Sequence, residues 1–386
     1  MIKKLQAINI WGIVALLCAT PLIAALAPRA FAWWVPLLGL FALPLGDKDK
    51  TPMWIMASVP MWIGTWSLMS IMWAAYPDLQ LEKAIARLPM LYGLSIAVLG
   101  LGNLREDVWE KAMSPMFWVY TVSIFAAWLE YSFDFPLYRL FNKNVADLNV
   151  AQFVMNRGLT GMAMLVIPMT WIGWHKGHKK LALFLVIFLT AGMAITEASA
   201  AFLSILVAEV IFVLAWFWPN VTRYLMMISG AVKIMIMPVL ALFMFTHMPP
   251  WDALNSPSTG GRLEIWYGVS KLIQNHPIMG YGYEATRFLP LPIKQAYFNL
   301  PIVMHPHNAA LQFWIEFGVL GAIACAIGWI NWAQKSRSAP ALALMAMTGT
   351  VGFLSYGLWQ GAWLGLAIFA LLYWRAAATS FGNKIQ

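Results

Sequence analysis

The sequence predicts an all-α polytopic membrane protein: about twelve transmembrane helices and one long outer loop that carries polar chemistry. Three observations predict it. The 386-residue chain is 61% hydrophobic and 11% charged, with a mean hydropathy of +0.69, far from the balance of a soluble globular domain. Its apolar residues come in blocks near the roughly 20 residues a helix needs to cross hydrocarbon. Its polar residues collect between those blocks, most densely from Thr246 to His307.

The blocks place spans near 8–27, 31–46, 53–76, 87–102, 112–131, 158–174, 181–196, 199–218, 225–246, 308–332, 340–355 and 357–374. The short pairs at 181–218 and 340–374 also read as tight hairpins or re-entrant elements. Lys3-Lys4 and Ala30-Phe31-Ala32 give the first segment the look of a cleavable signal peptide. A second apolar block follows at once, so it reads as a retained anchor. Residues 1–386 read as a single membrane domain, with 247–307 as a loop within it. Cys18 and Cys325 both fall inside spans, so no disulfide is expected.

Lys and Arg set the orientation. A cytoplasmic N-terminus puts the short basic loops inside, among them Asp47 to Lys50, Arg105 to Lys111 and Lys176 to Lys180. Segments 132–157 and 247–307 then face out. The net charge of +9 is mostly topology, and no nucleic-acid module is visible.

Within the long loop, Ser258 to Gly261 marks a turn and helix start. Residues 262–275 put Leu263, Trp266, Val269 and Ile273 on one stripe, predicting an amphipathic helix on the outer membrane face. His276-Pro277 ends it. Gly280-Tyr281-Gly282 is a turn. The span near 308–332 starts at His307-Asn308, with Asn308, Gln312 and Glu316 on one face and His307, Leu311 and Ile315 on its neighbour.

His305 and His307 are the candidate general bases, since an imidazole titrates near neutrality. Glu316, buried in a span, needs a partner, and His307 or an arginine is expected. Arg157, Arg262 and Arg287, with Lys294, suit a diphosphate, because a guanidinium meets phosphate oxygens in bidentate fashion. Each alone also suits snorkelling to lipid headgroups. Glu197, in the outer turn Thr196 to Ser199, either lines the site or is a polar hairpin tip, and Glu209 lies inside the span near 199–218. His305, His307, His276 and Glu284 lack a specific metal-binding spacing, and Asp47-Lys48-Asp49 reads as a solvated turn. No metal or cofactor is expected.

Three motifs in order carry a resemblance: Gly261-Arg262-Leu263-Glu264-Ile265-Trp266; His276-Pro277-Ile278-Met279-Gly280-Tyr281-Gly282; and His305-Pro306-His307-Asn308 through Gln312, Glu316 and Gly318. With the twelve-span layout they resemble the O-antigen ligase and polymerase superfamily over most of the chain. The resemblance implies a GT-C-like, inverting, metal-independent glycosyltransferase in the bacterial inner membrane. Its donor would be a glycan on undecaprenyl diphosphate at the periplasmic face. Its acceptor would be the lipid A core for a ligase, or another lipid-linked repeat unit for a polymerase. It implies that Arg262 holds the diphosphate and that His307 acts on the acceptor hydroxyl; the reading of the residues adds Arg157 and Arg287 on the diphosphate and His305 or Glu316 in support of His307. The sequence departs from the family at Ala198-Ser199-Ala200-Ala201, where many members carry an arginine. The competing class is a transporter or flippase of lipid-linked sugars. That class spreads charge along a mid-membrane path, whereas here charge gathers at the outer mouth.

Overall fold

In a computed structural model the chain is helical almost throughout. The structure describes residues 2–47, 53–136, 139, 148–196, 198–247, 257–293 and 302–381. Those residues form thirteen α-helices: α1 (Ile2–Leu26), α2 (Phe31–Ala42), α3 (Trp54–Met69), α4 (Pro77–Gly102), α5 (Glu106–Ser132), α6 (Leu148–His175), α7 (Lys179–Ala194), α8 (Ser199–Phe217), α9 (Pro219–His247), α10 (Pro257–Ile273), α11 (Ala309–Lys335), α12 (Ala339–Leu354) and α13 (Gly361–Ser380). Among them the one sheet-like pairing is an isolated bridge between Gly46 and Leu104.

Each of the twelve predicted spans falls on one of these helices, and α10 is the thirteenth. Among the described residues nine segments are long and apolar enough to cross a membrane; α6, α7 and α12 are not among them, and α7 and α12 have 16 residues each. The protein is a multi-pass, all-α membrane protein. Both doubtful pairs resolve into two helices each. α4 begins ten residues before the predicted span, because Pro77 and Asp78 start a helix well before its apolar run.

Small residues let backbones touch. Gly39 of α2 lies against Ala97 of α4, and Gly161 of α6 lies against Ala24 of α1. At one end of the bundle the loops after α2 and α4 meet, with Asp47 N–H donating to the Asn103 carbonyl at 2.8 Å. At the other end lie the α1–α2, α3–α4, α10–α11 and α12–α13 connections.

α10 departs from expectation. Its stripe of Leu263, Trp266, Val269 and Ile273 is buried against protein, in one cluster with Ile234 and Met237 of α9 and Leu311 and Ile315 of α11. Glu264 and Ser270 are buried as well. The helix is therefore packed into the bundle rather than laid flat on a membrane face.

α11 is broken at Gly318, which has φ +63° and ψ −154°. The break removes the hydrogen bonds that the Ile315 and Glu316 carbonyls would accept in a regular helix. The loop after α10 supplies replacements. Tyr281 N–H donates to Ile315 O at 2.8 Å, Gly282 N–H to Glu316 O at 2.9 Å, and Val319 N–H to Pro277 O at 2.8 Å. Gly280, at φ +69°, runs close to the Glu316 backbone; a Cβ there would sit 2.6 Å from the Glu316 carbonyl carbon. The same loop is tied to α4, where Gln80 Nε2 donates to Tyr281 O at 3.1 Å and Tyr283 O at 2.7 Å.

Gly280→Ala combines a left-handed residue, costing roughly 1–2 kcal/mol, with a backbone collision. It should lower the detergent thermal midpoint by several degrees. Gly12→Ala, at a helical site with open space around it, should leave the midpoint unchanged or raised. Equal midpoints for the two variants would contradict the docking role given to the loop.

Candidate functional site

The site starts at the N-terminus of α11. Asn308 caps the helix, its Oδ1 accepting from Leu311 N–H at 3.0 Å. His307 precedes it in the left-handed region, at φ +53°, a conformation costing about 1–3 kcal/mol for a non-glycine residue. That turn aims the imidazole across the bundle at the α12–α13 loop. His307 Nδ1 lies 2.6 Å from the Ser355 carbonyl oxygen. A carbonyl only accepts, so Nδ1 carries the proton and Nε2 keeps its lone pair.

His305 lies beneath, its ring centroid 4.2 Å from that of His307. His307 N–H donates to His305 Nδ1 at 3.3 Å, so the His305 proton sits on Nε2. The Gln360 amide lies 2.8 Å from that nitrogen, which places the amide oxygen, as acceptor, there. Gly357 backs the ring: a Cβ on it would come within 2.6 Å of His305 Cγ. Trp266 of α10 holds the loop from the other side, donating to the Pro306 carbonyl at 2.8 Å.

Both imidazoles are held neutral. Burial, then the charges of His307 and Arg287, push His305 down to about 3. Burial also lowers His307, against the Ser355 bond and with help from Arg262. A buried neutral histidine is ready to accept a proton at neutral pH.

A second layer sits one turn into α11. Gln312 Nε2 donates to Glu316 Oε1 at 2.9 Å, and Trp359 Nε1 donates to Glu316 Oε2 at 2.6 Å. Gln312 Oε1 accepts from Leu358 N–H at 2.7 Å. Glu316 is fully buried, and its partners are Gln312 and Trp359 rather than the expected His307 or an arginine. Glu316 therefore acts on the histidines at one remove, by fixing the 355–360 loop that holds them.

Arg262, in α10, makes no hydrogen bond or ion pair among the described residues; burial lowers its pKa, and its charge reaches His307. Arg287 pairs with Glu284, whose other oxygen is 3.5 Å from Arg87 Nε of α4. Arg157 lines a cavity of about 240 Å³ with Arg29 and Arg87, and Arg262 is not among its lining residues. His276 packs on Tyr281, and among the described residues no three His, Cys, Asp or Glu side chains gather as a metal site would need. Glu209 bonds Thr190 at 2.8 Å between α7 and α8, away from the histidines. Glu197 and Lys294 lie outside the described residues.

Sequence reasoning missed Arg87, Arg29, Trp359 and Gln360. The Pro77-Asp78 helix start was the signal for Arg87. The Trp359-Gln360-Gly361 polar break between two apolar runs was the signal for the loop.

Residues 183–326 match the family model described as O-Antigen ligase. A Rickettsia conorii (strain ATCC VR-613 / Malish 7) protein named "Putative polysaccharide ligase RC0486" is 27% identical over 267 residues, 65% of this chain and 63% of its own length. Same-named relatives occur in Rickettsia felis, at 28% over 55% of this chain and 56% of the relative, and Rickettsia prowazekii, at 25% over 65% and 64%. The chain thus spans less than two thirds of the length of these relatives. No solved structure matches it. Over residues 183–326 the chain is therefore similar to the O-antigen ligase family, and the relatives it resembles over a longer stretch carry the name polysaccharide ligase.

Because His305 and His307 stay neutral when folded but protonate near 6.5 when unfolded, their stabilising contribution is complete above pH 6.5. It is lost as pH falls from there toward the folded values, for His305 toward about 3. The thermal midpoint should fall between pH 6.5 and 4, and His305→Asn should flatten that fall. A midpoint that rises on acidification would contradict the neutral assignment.

Proposed function

We propose that the chain is an inverting O-antigen ligase-type glycosyltransferase. It moves a glycan from undecaprenyl diphosphate to the lipid A core at the periplasmic face of the bacterial inner membrane. The observation that carries this reading is His307. Its Nδ1–H is committed to the Ser355 carbonyl, its Nε2 has no hydrogen-bond partner among the described residues, and the cation Arg262 acts on it.

In this reading the acceptor hydroxyl gives its proton to His307 Nε2 as its oxygen bonds to the anomeric carbon. The bond from that carbon to the diphosphate oxygen breaks on the opposite face, so the configuration inverts. The leaving diphosphate gains negative charge, which Arg262 and Arg287 offset by charge-assisted hydrogen bonds. The Ser355 carbonyl stabilises the imidazolium that forms. His305 supports the His307 backbone. Two guanidinium groups supply the positive charge that a divalent ion provides elsewhere, so the scheme calls for no metal. The residue 247–307 segment with the head of α11 is the catalytic unit of this reading.

The test is transfer by purified full-length protein from lipid-linked glycan to lipid A core. His307→Ala should reduce the rate about 10²- to 10⁴-fold, the usual worth of a positioned base. Retained transfer in that variant would sink the base assignment. Activity should survive a chelator; loss restored by a divalent cation would overturn the metal-free scheme. Elongation of the glycan without lipid A core would make the enzyme a repeat-unit polymerase.

A further inference from the structure

Glu284 holds two arginines from distant parts of the chain. Its Oε1 lies 3.5 Å from Arg87 Nε of α4, and its Oε2 meets Arg287 Nε, three residues on in its own loop. Each guanidinium thus turns its Nε edge to the carboxylate. Among the described residues neither makes a hydrogen bond elsewhere. A guanidinium carries N–H donors on more than one edge of a planar fork, so the Nη edges of both are left to be filled. Exposure follows the same order: the Glu284 side chain is 4% exposed, that of Arg287 19% and that of Arg87 34%. The carboxylate is at the back of the cluster, and the guanidinium groups are at its opening.

The two cations are close enough to repel. After burial, the charge of Arg87 is the largest influence that lowers the Arg287 pKa. Drawing like charges together is unfavourable unless something requires it. Glu284 offsets part of the repulsion. Glu316 acts on Arg287 from α11 without touching it, since its oxygens are taken by Gln312 and Trp359.

The backbone gives a second, independent sign. The chain is left-handed at Gly280 (φ +69°), Gly282 (φ +84°) and Glu284 (φ +53°). Glycine makes the first two easy; at the third a long side chain is kept in a strained conformation, as happens where a side chain is needed in one place. The residue before it is fixed on both sides. Gln80 Nε2 donates to the Tyr283 carbonyl at 2.7 Å, and the Tyr283 amide donates to Ser70 Oγ at 3.0 Å. The carboxylate therefore stands on a rigid base.

The cluster borders the histidines on one side and a cavity on the other. The Arg287 charge acts on His305. Arg87 lines the cavity of about 240 Å³ that Gln360 also lines, and Gln360 meets His305 Nε2 at 2.8 Å.

We infer that Glu284 is a positioning residue, which presents Arg87 and Arg287 as one two-pronged clamp for the diphosphate of the donor. Arg87 is thereby a further binding residue. The clamp follows from the geometry, while the identity of its ligand rests on the proposed function. A diphosphate suits it because two linked phosphates offer acceptors to two neighbouring forks.

Inorganic pyrophosphate, added to the purified full-length protein in detergent, tests the clamp without any transfer. It should raise the thermal midpoint saturably, beyond chloride at equal ionic strength, and the concentration dependence gives a Kd. Arg87→Gln should raise that Kd about tenfold, the worth of one charge-assisted hydrogen bond. Arg223→Gln, near the start of α9, should keep the native Kd. Glu284→Gln is the diagnostic variant. It removes a negative charge, so if the carboxylate only neutralised the arginines, pyrophosphate would bind more tightly. A positioning carboxylate predicts the reverse, a Kd raised about tenfold. No rise in the native protein, a response weakened equally in Arg223→Gln, or a Kd unchanged or lowered in Glu284→Gln overturns the clamp, whatever the transfer assay gives. If Glu284→Gln does not fold, an unchanged Kd in Arg87→Gln is equally fatal.

Transfer kinetics then test the ligand. In Arg87→Gln the donor kcat/KM should fall about tenfold with the acceptor KM unchanged. A change confined to the acceptor KM, or an unchanged donor kcat/KM as a bilayer headgroup site would give, overturns the diphosphate assignment. Pyrophosphate binding as expected, with no transfer to any acceptor by the native protein, would uphold the clamp and sink the proposed function.

Discussion

The break in α11 at Gly318 is the constraint on which the site depends. A helix in a membrane protein cannot leave carbonyls bare, because nothing in hydrocarbon replaces the lost partner. The Ile315 and Glu316 carbonyls are answered by Tyr281 and Gly282, and the Val319 amide by Pro277. That exchange anchors the whole segment from His276 to Tyr283 onto α11. Glu284 and Arg287 follow directly in the chain, so the break also decides where those charges stand. The head of the same helix carries His307. One interrupted hydrogen-bond ladder thus sets His307 and the nearest ion pair in a common frame.

Charge in this frame is arranged by burial as much as by pairing. Glu316 carries no ion pair; it is held by the Gln312 amide and the Trp359 indole. Arg87, part way along α4, is met by Glu284, which in turn meets Arg287. The histidines are neutral because they are dry and close to arginines. Polar groups at one end of the bundle therefore form two connected systems, one of amides and indoles that fixes loops, one of guanidiniums that presents positive charge.

Much of the fold was legible because hydrophobic blocks near 20 residues have few alternatives to spanning helices. The start of α11 was legible because Asn308 is a strong N-cap before an apolar run. The His276 to Gly282 turn was seen, but its purpose was not, since docking onto Gly318 is a contact between segments some forty residues apart. The first part of α4 was lost because Glu82, Lys83 and Arg87 interrupt the apolar pattern, although they lie on a continuous helix. α10 was read as a surface helix from its stripe, because periodicity shows one apolar face and says nothing of what covers the rest. Glu316 was given the wrong neighbour for a related reason: its true partner, Trp359, comes from a loop whose position no local pattern reveals.

The partner of His307 is a main-chain oxygen, and that has a consequence for how this protein can change. Any amino acid at position 355 presents the same acceptor, so the identity of that residue is chemically silent. What must persist is the path of the chain. The space for that path is kept by Gly357, where even one added carbon meets the His305 ring. Substituting Ser355 thus probes little, whereas the shape of a six-residue connection governs the tautomer of His307. A catalogue of side chains would leave out the main-chain oxygen that fixes the tautomer of His307.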